Sequence, residues 1–143
     1  MIIHNKNTEI ISENNIIKII KGSVLAIIIT LIILLILAML LSYTNMPENV
    51  ITPVIIIITA ISIMIGSIFS SIKIRKQGII NGAIVGSIYM VTIYILSSIF
   101  YQNFSMSTNT IIMIVAGILA GATGGIIGVN LKQHKRQHNK INN

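Results

Sequence analysis

GSVLAIIITLIILLILAMLL, residues 22–41, is the stretch on which the reading of this chain turns. It holds twenty residues and no charge. As an α-helix rising 1.5 Å per residue it is roughly 30 Å long, one hydrocarbon thickness. Three further runs share its character, at about 53–71, 78–100 and 110–131. Isoleucine dominates them, 39 residues in the chain against 10 leucines. β-Branched side chains slightly disfavour helices in water. In lipid, however, an unpaired backbone group costs several kcal/mol, so each run must close its hydrogen bonds within itself. The expected fold is all-α: a polytopic membrane domain of four transmembrane helices over residues 22–131, arranged as two tandem hairpins. A tail at 1–21 precedes it and a basic tail at 132–143 follows.

Composition supports the same solvent. The chain is 54% hydrophobic and 9% charged, whereas a soluble domain carries about 25% charged residues. The ten basic residues fall in three segments. Lys6, Lys18 and Lys21 precede the first run, and Lys73, Arg75 and Lys76 lie between the second and third. Lys132, Lys135, Arg136 and Lys140 follow the fourth. The connections 43–49 and 101–109 hold none. Short cytoplasmic loops retain Lys and Arg, so this alternation predicts a cell-membrane protein with both termini in the cytoplasm. The net charge of +7 also predicts attraction to anionic lipid head groups, about 1 kcal/mol per juxtamembrane basic residue. Lys18, Lys21, Lys73, Arg75, Lys76, Lys132, Lys135 and Arg136 are the expected contacts. No recognition motif for nucleic acid is present.

Local signals refine the picture. Ser12 to Lys21 reads either as an interfacial helix, with Ile16, Ile17 and Ile20 on one face, or as an irregular lead into the first span. The first run is too long for a signal-peptide core and is expected to be retained. Tyr43 and Pro47 mark a turn, and Pro53 suits the first helical turn of the second span. Residues 73–77 turn the chain back. Phe100, Tyr101 and Phe104 form an aromatic belt. Thr108 or Asn109 can cap the fourth span, and 132–143 reads as a disordered tail.

The most specific internal pattern is glycine spacing. Gly78, Gly82 and Gly86 in the third span, and Gly117, Gly121 and Gly125 in the fourth, repeat every four residues; Gly124 and Gly128 stand beside the latter. Residues four apart share a helix face. Burial from water does not drive helices together in lipid, but close backbone approach does, and small residues permit it. The first hairpin carries a weaker copy: Gly22, Ala26 and Thr30 at an offset of 56, and Ser62, Gly66 and Ser70 at an offset of 55. The expectation is a tandem repeat of parallel hairpins about an axis along the membrane normal. Its grooves serve chiefly as packing surfaces, within one chain or between copies. A helix that slides or opens at Gly124-Gly125 is the less economical reading.

The missing chemistry is equally informative. No ionisable side chain except Tyr lies within a span, which counts against ion-coupled pumping. Glu9, Glu13 and Glu48 are the only carboxylates, too few for paired-acid chemistry or a carboxylate metal cage. With no Cys, thiolate sites are excluded. His134 and His138 lie four apart but amid Lys135 and Arg136, and two ligands make a weak metal site. No metal or cofactor is expected. The polar groups at membrane depth are hydroxyls, of which Ser62, Tyr89 and Thr123 are the candidate midplane contacts. Tyr89 should find a partner inside the bundle. Asn81 and Asn130 read as helix-end or interhelical hydrogen bonders.

Several of these motifs carry a family resemblance. Lys21-Gly22 opens the first span and Ile65-Gly66-Ser67 closes the second. Gly78 through Gly86-Ser87-Ile88-Tyr89 fills the third, and Ala116-Gly117 through Gly124-Gly125-Ile126-Ile127-Gly128-Val129-Asn130 fills the fourth. Together they resemble the YrzE-like group of small four-span bacterial membrane proteins of unknown function, over roughly Lys21 to Leu131. The resemblance implies the four-helix topology and brings no catalytic residue with it. The leading functional expectation is a non-enzymatic packing or accessory subunit of a membrane assembly, its partner itself or another membrane protein. The alternative is a small homo-oligomeric permeation module for an apolar or amphipathic solute.

Overall fold

The computed structural model describes residues 13–74, 77–101 and 108–141. They form four helices: α1 (Glu13–Tyr43), α2 (Glu48–Ile74), α3 (Gly78–Tyr101) and α4 (Thr108–Ile141), with no strand among the described residues. All four are long and apolar enough to cross a membrane. By length and composition the chain is a multi-pass membrane protein. Of the basic residues, Lys6, Arg75 and Lys76 lie outside the described residues, as do the side chains of Arg136 and Lys140. The belt residues Phe104 and Tyr101 (its side chain) also fall outside, whereas Phe100 is exposed at the end of α3.

The helices outrun the expected spans. Residues 13–21 are neither a separate interfacial helix nor an irregular lead; they continue α1 as one rod of 31 residues. Likewise 132–141 is not disordered, because α4 runs on through the basic tail for 34 residues in all. Lys, Gln and Arg are good helix formers, nothing after Gly128 breaks the helix, and basic side chains suit a helix C-terminus. Pro53 sits one turn deeper than expected, inside α2. The N–H it lacks would have bonded the carbonyl of Asn49, which stands exposed at the helix end, where water can serve that oxygen instead. Between α2 and α3 the chain reverses through Gln77, whose φ of 51° is left-handed. Its carbonyl accepts the Asn81 N–H at 3.1 Å, the first bond of α3.

Packing joins each hairpin and also runs between them. α3 packs most extensively on α4, α4 on α2, and α2 on α1; α3 touches α2 and α1 less, and α1 and α4 scarcely meet. The bundle has two distinct ends. The basic end carries the start of α1, the α2–α3 turn and the end of α4. The loop end carries the α1–α2 and α3–α4 connections. Among the described residues every buried one except Ser98 lies in the basic half: Ile19 to Thr30, Ser62 to Ser71, Gly78 to Met90 and Gly117 to Gly128. No residue from 31 to 61 is buried.

Candidate functional site

Each of the ten glycines in the sequence faces another helix of the same chain. Along α3 and α4 the seam pairs Gly78 with Gly125, Gly82 with Gly121 and Gly86 with Gly117. A Cβ on any of the first two pairs would overlap the partner's carbonyl oxygen, and one on Gly86 would lie 2.6 Å from the Gly117 oxygen. Along α1 and α2 a Cβ on Gly66 would lie 2.6 Å from the Gly22 oxygen and 2.7 Å from the Ala26 Cβ; one on Gly22 would lie 2.7 Å from the Ser70 Cβ. Gly124 and Gly128 turn to α2 instead. Added Cβ atoms there would meet the carbonyls of Met64 and Ile68, each at 2.6 Å. With no side chain in the way, neighbouring backbones approach closely enough for Cα–H···O contacts. Met90 ends the α3–α4 seam, since its side chain fills the space beside Gly117.

Ser67 binds three helices together. Its hydroxyl donates to the Gly121 carbonyl at 2.6 Å and sits against Gly82, so α2 keys into the α3–α4 seam at its centre. The role was not evident from the sequence, where Ser67 is one hydroxyl among many. Its position next to Gly66 was the only cue.

The three candidate midplane hydroxyls do not converge. Thr123 is exposed and donates to Ala120 O of its own helix at 2.9 Å. Ser62 is fully buried but donates to Ile58 O of its own helix, also at 2.9 Å. Tyr89, 1% exposed, donates to Thr30 Oγ1 at 2.9 Å, and Thr30 passes the bond to Ala26 O at 2.8 Å. Thr59 interacts with the same phenol. The polar junction therefore joins α1, α2 and α3 through Thr30, Tyr89 and Thr59. Thr30 and Thr59 both read from sequence as hydroxyls at membrane depth, and Thr30 also stands in the Gly22, Ala26, Thr30 row. Ser23, Ser87 and Thr92 bond carbonyls four residues back, the usual resort of helical hydroxyls. Ser70 and Ser71 are buried without a hydrogen-bond partner, where α2 presses on Gly22 and Gly128.

At the basic end two lysines cap α2. Lys18 Nζ donates to Lys73 O at 3.3 Å and Lys132 Nζ to Ile72 O at 3.1 Å. These are the last carbonyls of α2, unpaired within the helix and at its negative pole. Lys73 in turn lies over the Phe69 ring, 4.2 Å from its centroid. Lys21, Lys135 and His134 are exposed. Asn81 is buried near the start of α3 and Asn130 is exposed. A small recess of about 20 Å³ between α2, α3 and α4 is lined by Ile63, Met90, Met113, Gly117 and neighbours, almost wholly apolar. It is water-sized, yet offers water few partners. No cluster of three metal-ligating residues occurs among the described residues.

Neither the curated proteins nor the solved structures include one that matches this chain. Residues 15–128, which take in all ten glycines and both seams, match a family model described as "Protein of unknown function (DUF3792)". The chain belongs to that family.

Proposed function

We propose that the chain is a non-enzymatic protein of the cell membrane, both termini cytoplasmic, that acts as a packing or accessory subunit of a membrane assembly. One observation carries this reading: the hydroxyls that join helices are turned inward and the outward faces of all four helices are mainly Ile, Leu, Val and Met. Such a surface offers partners apolar contact and offers a solute no polar route. The permeation alternative loses support for the same reason. Ser62 and Tyr89, which would line its path, are 0% and 1% exposed inside a single chain.

Glycine seams spent within the chain also bear on partners. A second copy would have to dock on bulky aliphatic faces, which favours an unlike partner shaped to them. The test is mild-detergent purification of the tagged chain, read by mass spectrometry and native mass. Recovery with a defined unlike membrane protein supports the reading, and a clean homo-oligomer refutes it. Cysteines placed at 62 and 89 should resist a water-soluble thiol reagent; labelling at both would restore the permeation reading.

Tandem duplication is supported by the seams. Gly22 against Ser70 and Ala26 against Gly66 occupy the positions equivalent to Gly78 against Gly125 and Gly82 against Gly121. The likeness stops between hairpins. Gly124 and Gly128 receive α2, whereas their counterparts on α2 are Phe69 and Lys73, both exposed. The YrzE-like resemblance covers nearly the same residues as the family match, and we take the two to describe one group.

A further inference from the structure

Among the described residues, one edge of the α1–α2 hairpin has no helix against it. Thr30 of α1 and Ser67 of α2 point to α3 and α4. At 100° per residue, Lys18 and Leu25 fall roughly 40° and 60° from Gly22 on the side away from Thr30. Phe69 falls roughly 60° from Gly66 on the side away from Ser67. Because α1 and α2 run antiparallel, these edges lie side by side. Ile65 and Phe69 are 41% and 40% exposed there, and Lys21 and Lys73 are also exposed. Lys18 Nζ reaches the Lys73 carbonyl, so Lys18 and Lys73 stand together at the basic end of this apolar edge, with Lys21 exposed on the same side of α1.

No acid among the described residues opposes them. Among the described residues the only carboxylates are Glu13 and Glu48. Glu13 falls on the far side of α1 by the same periodicity, and Glu48 stands at the loop end. Lys18 spends one of its three N–H groups on the carbonyl and keeps two. The Phe69 ring holds the Lys73 ammonium beside this edge.

We propose that this edge binds one anionic phospholipid from the leaflet at the basic end. Its phosphate lies among Lys18, Lys21 and Lys73, and one acyl chain runs along Leu25, Phe69 and Ile65. The site rests on the proposed membrane placement but not on which terminus faces the cytoplasm; a reporter fused to the C-terminus reads that separately.

The test is native mass spectrometry of the detergent-solubilised full chain titrated with phosphatidylglycerol or phosphatidylcholine. The wild type should retain one phosphatidylglycerol in preference to phosphatidylcholine. Lys21→Gln with Lys73→Gln should weaken retention about fivefold per lysine removed, while Lys135→Gln on α4 leaves it unchanged. Phe69→Leu keeps every charge and should weaken it less. Equal retention of both lipids, or equal effects of the double variant and Lys135→Gln, would overturn the site. Both lysines are exposed, so circular dichroism should show the double variant folded; if it is not, Phe69→Leu with unchanged retention overturns the site in its place.

Discussion

The two halves of the bundle are built from the same apolar residues and packed by different rules. In the basic half every helix contributes glycine, serine or alanine at its contacts, and backbones meet. In the loop half there is no glycine at all, and among the described residues only Ser98 is buried. Ile, Leu and Met are as apolar in one half as in the other. The difference teaches that apolarity does not pull helices together when lipid is the alternative; the depth to which backbones can approach does.

The largest effect should come from filling the seam. Gly121→Leu drives a side chain into the Gly82 carbonyl and should abolish monodisperse recovery in detergent. Ala38→Leu, at an exposed position in the loop half, should change nothing. If both variants fold alike, the contrast between the halves is broken. Next comes the capped end of α2. Lys18→Gln with Lys132→Gln should cost about 1 kcal/mol in denaturation, since each lysine serves a terminal carbonyl at the helix's negative pole. High salt should shrink the difference.

A smaller effect separates hydroxyls that bridge helices from those that do not. Tyr89→Phe removes the bond to Thr30 and should cost about 0.6 kcal/mol, the usual worth of such a bond in a membrane. Thr92→Val, whose hydroxyl serves its own helix, should cost less in the same assay. The smallest change is a gain. Gln77→Gly relieves the left-handed backbone at the α2–α3 turn and should stabilise by about 0.5 kcal/mol after the entropy lost with glycine. A thermal midpoint that falls would show that the Gln77 side chain matters to the turn.

Much of this was legible in advance because lipid simplifies the grammar. Four uncharged runs had to be helices, and the four-residue glycine spacing had to make smooth faces. The ends were misread. Residues 13–21 and 132–141 lack the hydrophobicity that marks a span, yet a helix already nucleated propagates through good helix formers at little cost. Of the expected midplane contacts Ser62, Tyr89 and Thr123, Tyr89 does find its partner within the bundle, while Ser62 and Thr123 turn to their own helices for another reason. A hydroxyl on a helix has a carbonyl of its own within reach, so composition cannot say which one will cross to a neighbour.

What the sequence by itself determined is the kind of molecule and the rows along which it packs. Span length follows from bilayer thickness, and closeness of approach follows from residue size. Only the tertiary structure decided which rows meet: Gly124 and Gly128 could have joined the α3 seam, lipid or a second copy, and they receive α2. A four-residue period names a face without naming what covers it. The choice depends on how helices joined by short turns can stack at once, a property of all four together and of none alone.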